Sequence, residues 1–91
     1  MKNNKRIYEQ TAKRLPGGVC SSARVNKVLK SPLYISEGEG SRIRDYDGNE
    51  YIDFCLSYGA SLVGHKHPKV VENIRKATDM GLVCSYDGEW Q

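Results

Sequence analysis

Arg24 is the residue in this chain best suited to hold an anion. It closes the small-residue run Ser21-Ser22-Ala23-Arg24, and a guanidinium there can fork both oxygens of a carboxylate, a geometry that lysine does not reproduce. Taken by residue type alone, Arg24 still reads more readily as a surface arginine. A second group is His65-Lys66-His67-Pro68. Two imidazoles invite a metal, but a metal site wants three or four ligands and no third donor stands near in sequence. The better reading is a histidine whose ring satisfies loop backbone groups ahead of a helix that begins at Pro68. Asp45, Asp47, Glu50 and Asp53 make a third, carboxylate-rich group. In an Asp-x-Asp-Gly run the aspartates more often bond backbone N–H groups two residues on than move protons. Gly38-Glu39-Gly40-Ser41 has the outline of a phosphate loop, but a strand pattern follows it where a phosphate loop leads into a helix, and Glu37 and Glu39 would repel the ligand. It reads as a turn.

The elements that must position these residues follow from periodicity. Residues 4–15 place Tyr8, Ala12 and Leu15 on one face, with Glu9 four before Lys13, which predicts an amphipathic helix with one supporting ion pair. Pro16-Gly17-Gly18 ends it. Residues 19–31 show no period and read as a loop or extended arm. From Pro32 the period becomes two: Leu33 and Ile35 alternate with Tyr34 and Ser36, Glu37 to Gly40 turns the chain, Ile43 and Tyr46 lead into Asp47-Gly48, and Tyr51 to Phe54 forms a third run. This predicts a three-stranded antiparallel meander with an Asp-Gly hairpin. Ser57 to Gly64 is small and flexible. Pro68 then opens a helix with Val70, Val71, Ile74, Ala77 and Met80 on one face and Gly81 as its stop. Residues 82–91 carry no pattern of a finishing element. The fold class expected is α+β, in the order helix, meander, helix, within one domain.

Composition sets outer limits. The chain has 91 residues, a size at which only about 60 per cent of the unfolded surface is buried on folding, so its core is expected to be marginal. Its net charge of +3 is concentrated at the front, where residues 1–30 hold eight Lys or Arg against the single acid Glu9. Those charges follow a helical pattern with no interleaved stacking residues, so a solvated helix face is a better reading than a nucleic-acid surface. Cys20, Cys55 and Cys84 are odd in number and widely spaced, which fits neither a disulfide framework nor a Cys-x-x-Cys metal site. Reduced thiols and a cytoplasmic location are expected. No apolar run approaches the roughly 20 residues of a membrane span.

Leu15-Pro16-Gly17-Gly18-Val19, Ser21-Ser22-Ala23-Arg24, Asp45-Tyr46-Asp47-Gly48, and Ser57-Tyr58-Gly59 followed by Gly64-His65-Lys66-His67-Pro68 stand in that order. With these blocks the chain resembles the N-terminal portion of the class III aminotransferases, most closely their glutamate-1-semialdehyde 2,1-aminomutase branch. The resemblance implies a segment of a fold-type-I pyridoxal-phosphate enzyme, cytoplasmic and homodimeric, that acts on an amino-acid-type carboxylate. It places Arg24 and Ser21 in the substrate-binding Ser-Pro-Val-Arg block and Tyr58 at the aromatic position of the pocket wall, where the family has tryptophan. In the branch it resembles, an amino group moves within glutamate-1-semialdehyde to give 5-aminolevulinate, a tetrapyrrole precursor. The departures at Tyr58, at Ser22 where the family has proline and at Cys20 where it has asparagine keep open another class III aminotransferase with a different amino donor. The family's Schiff-base lysine, pyridine-nitrogen acid and phosphate loop match nothing in 1–91, and Lys66 matches no Schiff-base position. Residues 1–91 are therefore expected to be an N-terminal segment without the large cofactor-binding domain, inactive and holding no cofactor alone. A non-catalytic interaction module left after loss of that domain is the competing class.

Overall fold

The computed structural model describes residues 1–81; the tail 82–91, with Cys84 and the expectation of no finishing element, lies outside the described residues. Helix α1 spans Lys2–Thr11 and helix α2 Pro68–Thr78. Between them run β1 (Val25–Asn26), β2 (Ser31–Pro32), β3 (Ile35–Glu39), β4 (Arg42–Asp45) and β5 (Glu50–Ile52). The last three form the expected antiparallel meander in the order β3-β4-β5, and β1 pairs with β2 in a separate two-stranded ladder. The architecture is α+β.

Helix α1 stops four residues short of its expected end. The Thr11 side-chain hydroxyl sits 3.1 Å from the Ile7 and Tyr8 carbonyls, a back-bond that competes with helix continuation. Leu15 must be extended because Pro16 follows it, and its φ of −126° and ψ of 132° show that it is. Lys13 lies beyond the helix, so the expected Glu9–Lys13 pair is not among the ion pairs of the described residues. The segment read as loop or arm also needs correction. Asn26 Oδ1 accepts the Val28 and Leu29 N–H groups at 2.9 and 3.0 Å, and this side-chain-closed turn returns the chain so that Val25 faces Pro32 and Asn26 faces Ser31.

In the meander, β3 continues through Glu37, Gly38 and Glu39, and the chain reverses at Gly40, not across Glu37 to Gly40 as the sequence suggested. A bulge between Ile35 and Glu37 is filled by Ser36, whose Oγ donates to the Arg44 and Asp45 carbonyls, at 2.9 and 3.0 Å. Across the strands Arg44 meets Glu37 at 2.8 Å and Arg42 meets Glu50 at 2.6 Å, exposed pairs each worth about 0–1 kcal/mol.

Four of the described residues are buried: Asn4, Gly18, Pro32 and Asp45. Asn4 and Asp45 are 4 % and 1 % exposed, and apart from the Pro32 ring no apolar side chain is buried with them. Asn4 Nδ2 donates to the Pro32 carbonyl at 3.1 Å and its Oδ1 accepts Tyr34 N–H at 2.9 Å, which joins α1 to the chain between β2 and β3. Asp45 accepts Asp47 N–H, Asn49 N–H, Asn49 Nδ2 and the Tyr51 hydroxyl, all at 2.9 Å. These bonds outweigh the cost of burying the charge and hold its carboxyl at a pKa of about 2, with the Asn49 amide the largest cause. The same contact raises the Tyr51 phenol above its ordinary value. The expected turn role of Asp45 is thus what the structure contains.

Candidate functional site

The end of α1, the turns at Pro16–Gly18 and Ser22–Arg24, the β1–β2 ladder and the segment around Tyr58 enclose an open cavity of about 750 Å³. Its wall is built from the helix outward. The Tyr34 hydroxyl lies between Thr11 Oγ1 and the Gly18 carbonyl, the latter 3.1 Å away. Gly18 has a φ of +68°, and a Cβ there would stand 2.9 Å from two ring carbons of Tyr8. Only glycine lets the chain pass so close to α1 in that conformation. The turn that follows is closed by Arg24 N–H donating to the Ser21 carbonyl at 3.0 Å, and it delivers Arg24 to the cavity.

Arg24 and Tyr58 line this cavity together, although they come from distant parts of the sequence; Ser21 does not line it, and contributes the carbonyl that closes the Arg24 turn. Among the described residues Arg24 is the only charged one in the lining, which contains no lysine and no acid among them. No carboxylate among the described residues forms an ion pair with it. Cys20 and Cys55, both free and exposed thiols, line the same cavity, a placement that sequence spacing did not reveal. Lys66 lies elsewhere, in a shallow depression with Glu39 and Glu72 beside α2. The Arg24 cavity therefore offers a cationic fork, an aromatic wall and apolar surface, but not the lysine, acid and phosphate cradle that pyridoxal phosphate requires.

Tyr58 is held in an unusual way. Leu56, Ser57 and Tyr58 have φ of 45°, 56° and 58°, and Gly59 follows at 86°. A left-handed conformation costs about 1–2 kcal/mol for each residue with a Cβ, roughly 3–6 kcal/mol for these three together. Asp53 Oδ1 accepts Cys55 N–H at 2.9 Å and Leu56 N–H at 3.1 Å, so the turn starts from an aspartate bonding two and three residues on, as expected of this carboxylate group. Asp53 Oδ2 lies 2.6 Å from His65 Nε2. The His65 bond and then the backbone N–H bonds hold the Asp53 carboxyl below the usual range despite some desolvation. The His65 ring does not serve loop backbone, as its place ahead of Pro68 predicts, but a carboxylate twelve residues away. His67 Nδ1 is a buried atom with no partner among the described residues, and no cluster of three metal-ligating groups occurs among them.

A family model for class III aminotransferases matches residues 22–88. The chain belongs to the class III aminotransferases. Among its class III relatives, the glutamate-1-semialdehyde 2,1-aminomutases of Thermodesulfovibrio yellowstonii and Methanosarcina acetivorans are 46% and 44% identical to it, each over 86% of this chain. The chain spans 18% of the length of each. A solved transaminase with pyridoxal phosphate bound superposes with a TM-score of 0.80 at 32% identity, over 88% of this chain and 18% of its own. A glutamate-1-semialdehyde aminomutase from Pseudomonas aeruginosa PAO1 shares the fold with a TM-score of 0.81 at 23% identity, over 97% of this chain and 19% of its own. The described helices and meander are the N-terminal segment of this class III fold.

Proposed function

We propose that this segment forms the carboxylate-binding wall of a glutamate-1-semialdehyde 2,1-aminomutase. The observation that carries the reading is the meeting of Arg24 and Tyr58 in one cavity whose lining holds no other charge among the described residues. A guanidinium with no carboxylate partner among the described residues can align two N–H groups with the two oxygens of a substrate carboxylate. The tyrosine ring supplies a flat face against which the substrate backbone rests, and Ser21 acts through the turn that aims Arg24. The cofactor, held by chain outside this segment, supplies the electron sink for the amino transfer; residues 1–81 orient the substrate and exclude water from one side. A cytoplasmic homodimer is the assembly this reading implies.

The relatives at 46% and 44% identity support the aminomutase over its sister enzymes. A transaminase with another amino donor is the second reading, favoured by the β-phenylalanine aminotransferase of Variovorax paradoxus, which superposes at a TM-score of 0.81 with 29% identity over 96% of this chain and 20% of its own, and by Tyr58 where the branch has tryptophan. Replacing the matching segment of the Thermodesulfovibrio yellowstonii enzyme with this one tests both. Conversion of glutamate-1-semialdehyde to 5-aminolevulinate that Arg24→Ala impairs supports the first reading. Amino transfer from an external donor without that isomerisation supports the second and overturns the first.

A further inference from the structure

The loop from Asp53 to His65 is tied at both ends to one place. Asp53 N–H donates to the Ser41 carbonyl at 2.8 Å, His65 N–H donates to the Gly40 carbonyl at 2.7 Å, and Gly40 N–H returns a bond to the His65 carbonyl at 2.9 Å. Both ends therefore rest on the β3–β4 reversal. The two side chains then close on each other, His65 Nε2 to Asp53 Oδ2 at 2.6 Å. Space for this closure comes from two glycines. A Cβ on Gly38 would stand 2.9 Å from His65 Cγ, and one on Gly64 would stand 2.7 Å from the Gly40 carbonyl oxygen.

Inside the loop sits the left-handed run Leu56 to Gly59. It is stitched by Gly59 N–H to the Cys55 and Leu56 carbonyls, both 3.1 Å away, and by Ser61 N–H to the Leu56 carbonyl at 3.0 Å. Little packing assists, because Tyr58 is 79 % exposed and Leu62 90 % exposed. A strained backbone persists only where its surroundings over-determine it. Beside those backbone bonds and an exposed Ser61–Ser57 hydroxyl contact at 3.4 Å, the constraint that ties the run to the rest of the loop is the Asp53 carboxylate, whose one oxygen caps the run while the other grips His65.

We propose that Asp53 and His65 are positioning residues for Tyr58: their pairing clasps the loop and keeps the strained turn in the shape that brings the tyrosine into the cavity with Arg24. The importance of that placement rests on the substrate reading above, but the clasp itself is tested without substrate. Amide hydrogen exchange on the whole chain reads the Gly59 and Ser61 amides inside the turn, against the Asp45 and Asn4 amides at the far hairpin and α1. His65→Leu keeps bulk and removes the donor; His65→Gln restores a side-chain N–H donor; Asp53→Ala removes both roles of the carboxylate.

Local opening raises exchange only where the bonds are lost, so His65→Leu and Asp53→Ala should speed Gly59 and Ser61 by about tenfold or more and leave Asp45 and Asn4 within about threefold. His65→Gln should recover most of the protection. Equal acceleration at all four amides overturns the proposal, since the pair is then a general stabiliser. Unchanged exchange at Gly59 and Ser61, or their exchange at free-peptide rates in the unaltered chain, overturns it as well. Arg24→Ala is scored on carboxylate turnover, so a failed substrate reading and a failed clasp give different results.

Discussion

Asp47 caps the first turn of α1 from across the fold: its Oδ1 accepts Asn3 N–H at 2.9 Å and its Oδ2 accepts Asn4 N–H at 3.1 Å. Met1, the residue at the cap position, makes no side-chain capping bond. The two orphan donors are met by a hairpin tip whose own turn is shaped by Asp45. A negative charge is also favoured at this positive end of the helix dipole. Asp47→Ala should therefore reduce helical ellipticity at 222 nm, and Asp47→Asn, which keeps one acceptor oxygen, should restore part of it. An unchanged spectrum for Asp47→Ala would remove the cap from the account of α1.

Acid should loosen the same contacts. Asp45 is lowered to about 2, foremost by the Asn49 amide, Asp47 is lowered foremost by Asn3 N–H, and Asp53 foremost by His65. Each carboxylate binds its proton more weakly folded than unfolded. The stability they lend is complete above the ordinary aspartate value near 4 and is lost as pH falls from there through their lowered values, which for Asp45 is about 2. Circular dichroism followed across that range should show the transition, and Asp45→Asn should flatten it.

Asn4 offers a sharper contrast. Asn4→Ala strands the Tyr34 N–H and leaves the Pro32 carbonyl only the Ser31 hydroxyl at 3.4 Å, and a buried group left without a partner costs about 1–3 kcal/mol. Asn4→Asp keeps the acceptor for Tyr34 N–H but sets oxygen against the Pro32 carbonyl. Urea midpoints should fall for both. A midpoint for Asn4→Asp equal to that of the parent would disprove the assigned amide orientation.

Two glycines with similar φ should behave differently. Gly48 has a φ of +87° and open space where a Cβ would go, whereas Gly64, at +77°, faces the Gly40 backbone oxygen at 2.7 Å. Gly48→Ala should cost only the left-handed strain, about 1–2 kcal/mol. Gly64→Ala adds an overlap that backbone cannot relieve by rotation, a further 1–3 kcal/mol or so. Thermal midpoints of the two variants give the comparison.

Arg24→Ala, in an active enzyme carrying this segment, should lower kcat/KM for a carboxylate substrate. Loss of one partner from a desolvated pair costs about 2–5 kcal/mol, roughly 30-fold to several-thousand-fold. Arg24→Lys should recover part of it, because the point charge remains and the fork does not. A change under about twofold would return Arg24 to the ordinary surface arginines.

Local signals in the sequence carried the meander well: two-residue alternation from Leu33, the Asp47-Gly48 reversal and Pro68 at the start of α2 all describe contacts between near neighbours. The β1–β2 ladder escaped because its strands are two residues each, too short for any period, though Asn26 ahead of Val28 and Leu29 was a readable turn signal. Asp45 and Asp53 were legible as turn formers. Asp47 as a helix cap and His65 as a partner of Asp53 were not, since both depend on which distant segments meet. Likewise the chemistry of Arg24 was legible but its substrate role, like that of Tyr58, came only through family resemblance, and only the fold puts the two in one cavity.

The scarcity of buried apolar side chains among the described residues has a calorimetric meaning. A structure joined mainly by Asn4, Asp45, Asp47 and Asp53 exposes little new hydrocarbon when it unfolds, so its heat-capacity increment per residue should fall below the about 12–15 cal/mol/K of ordinary domains. Phe54, Leu62 and Val28, each about nine-tenths exposed, hold that increment in reserve. Any surface that covers them would release it as a negative heat-capacity change of association, so for these residues the thermal signature of a core would be found in binding and not in folding.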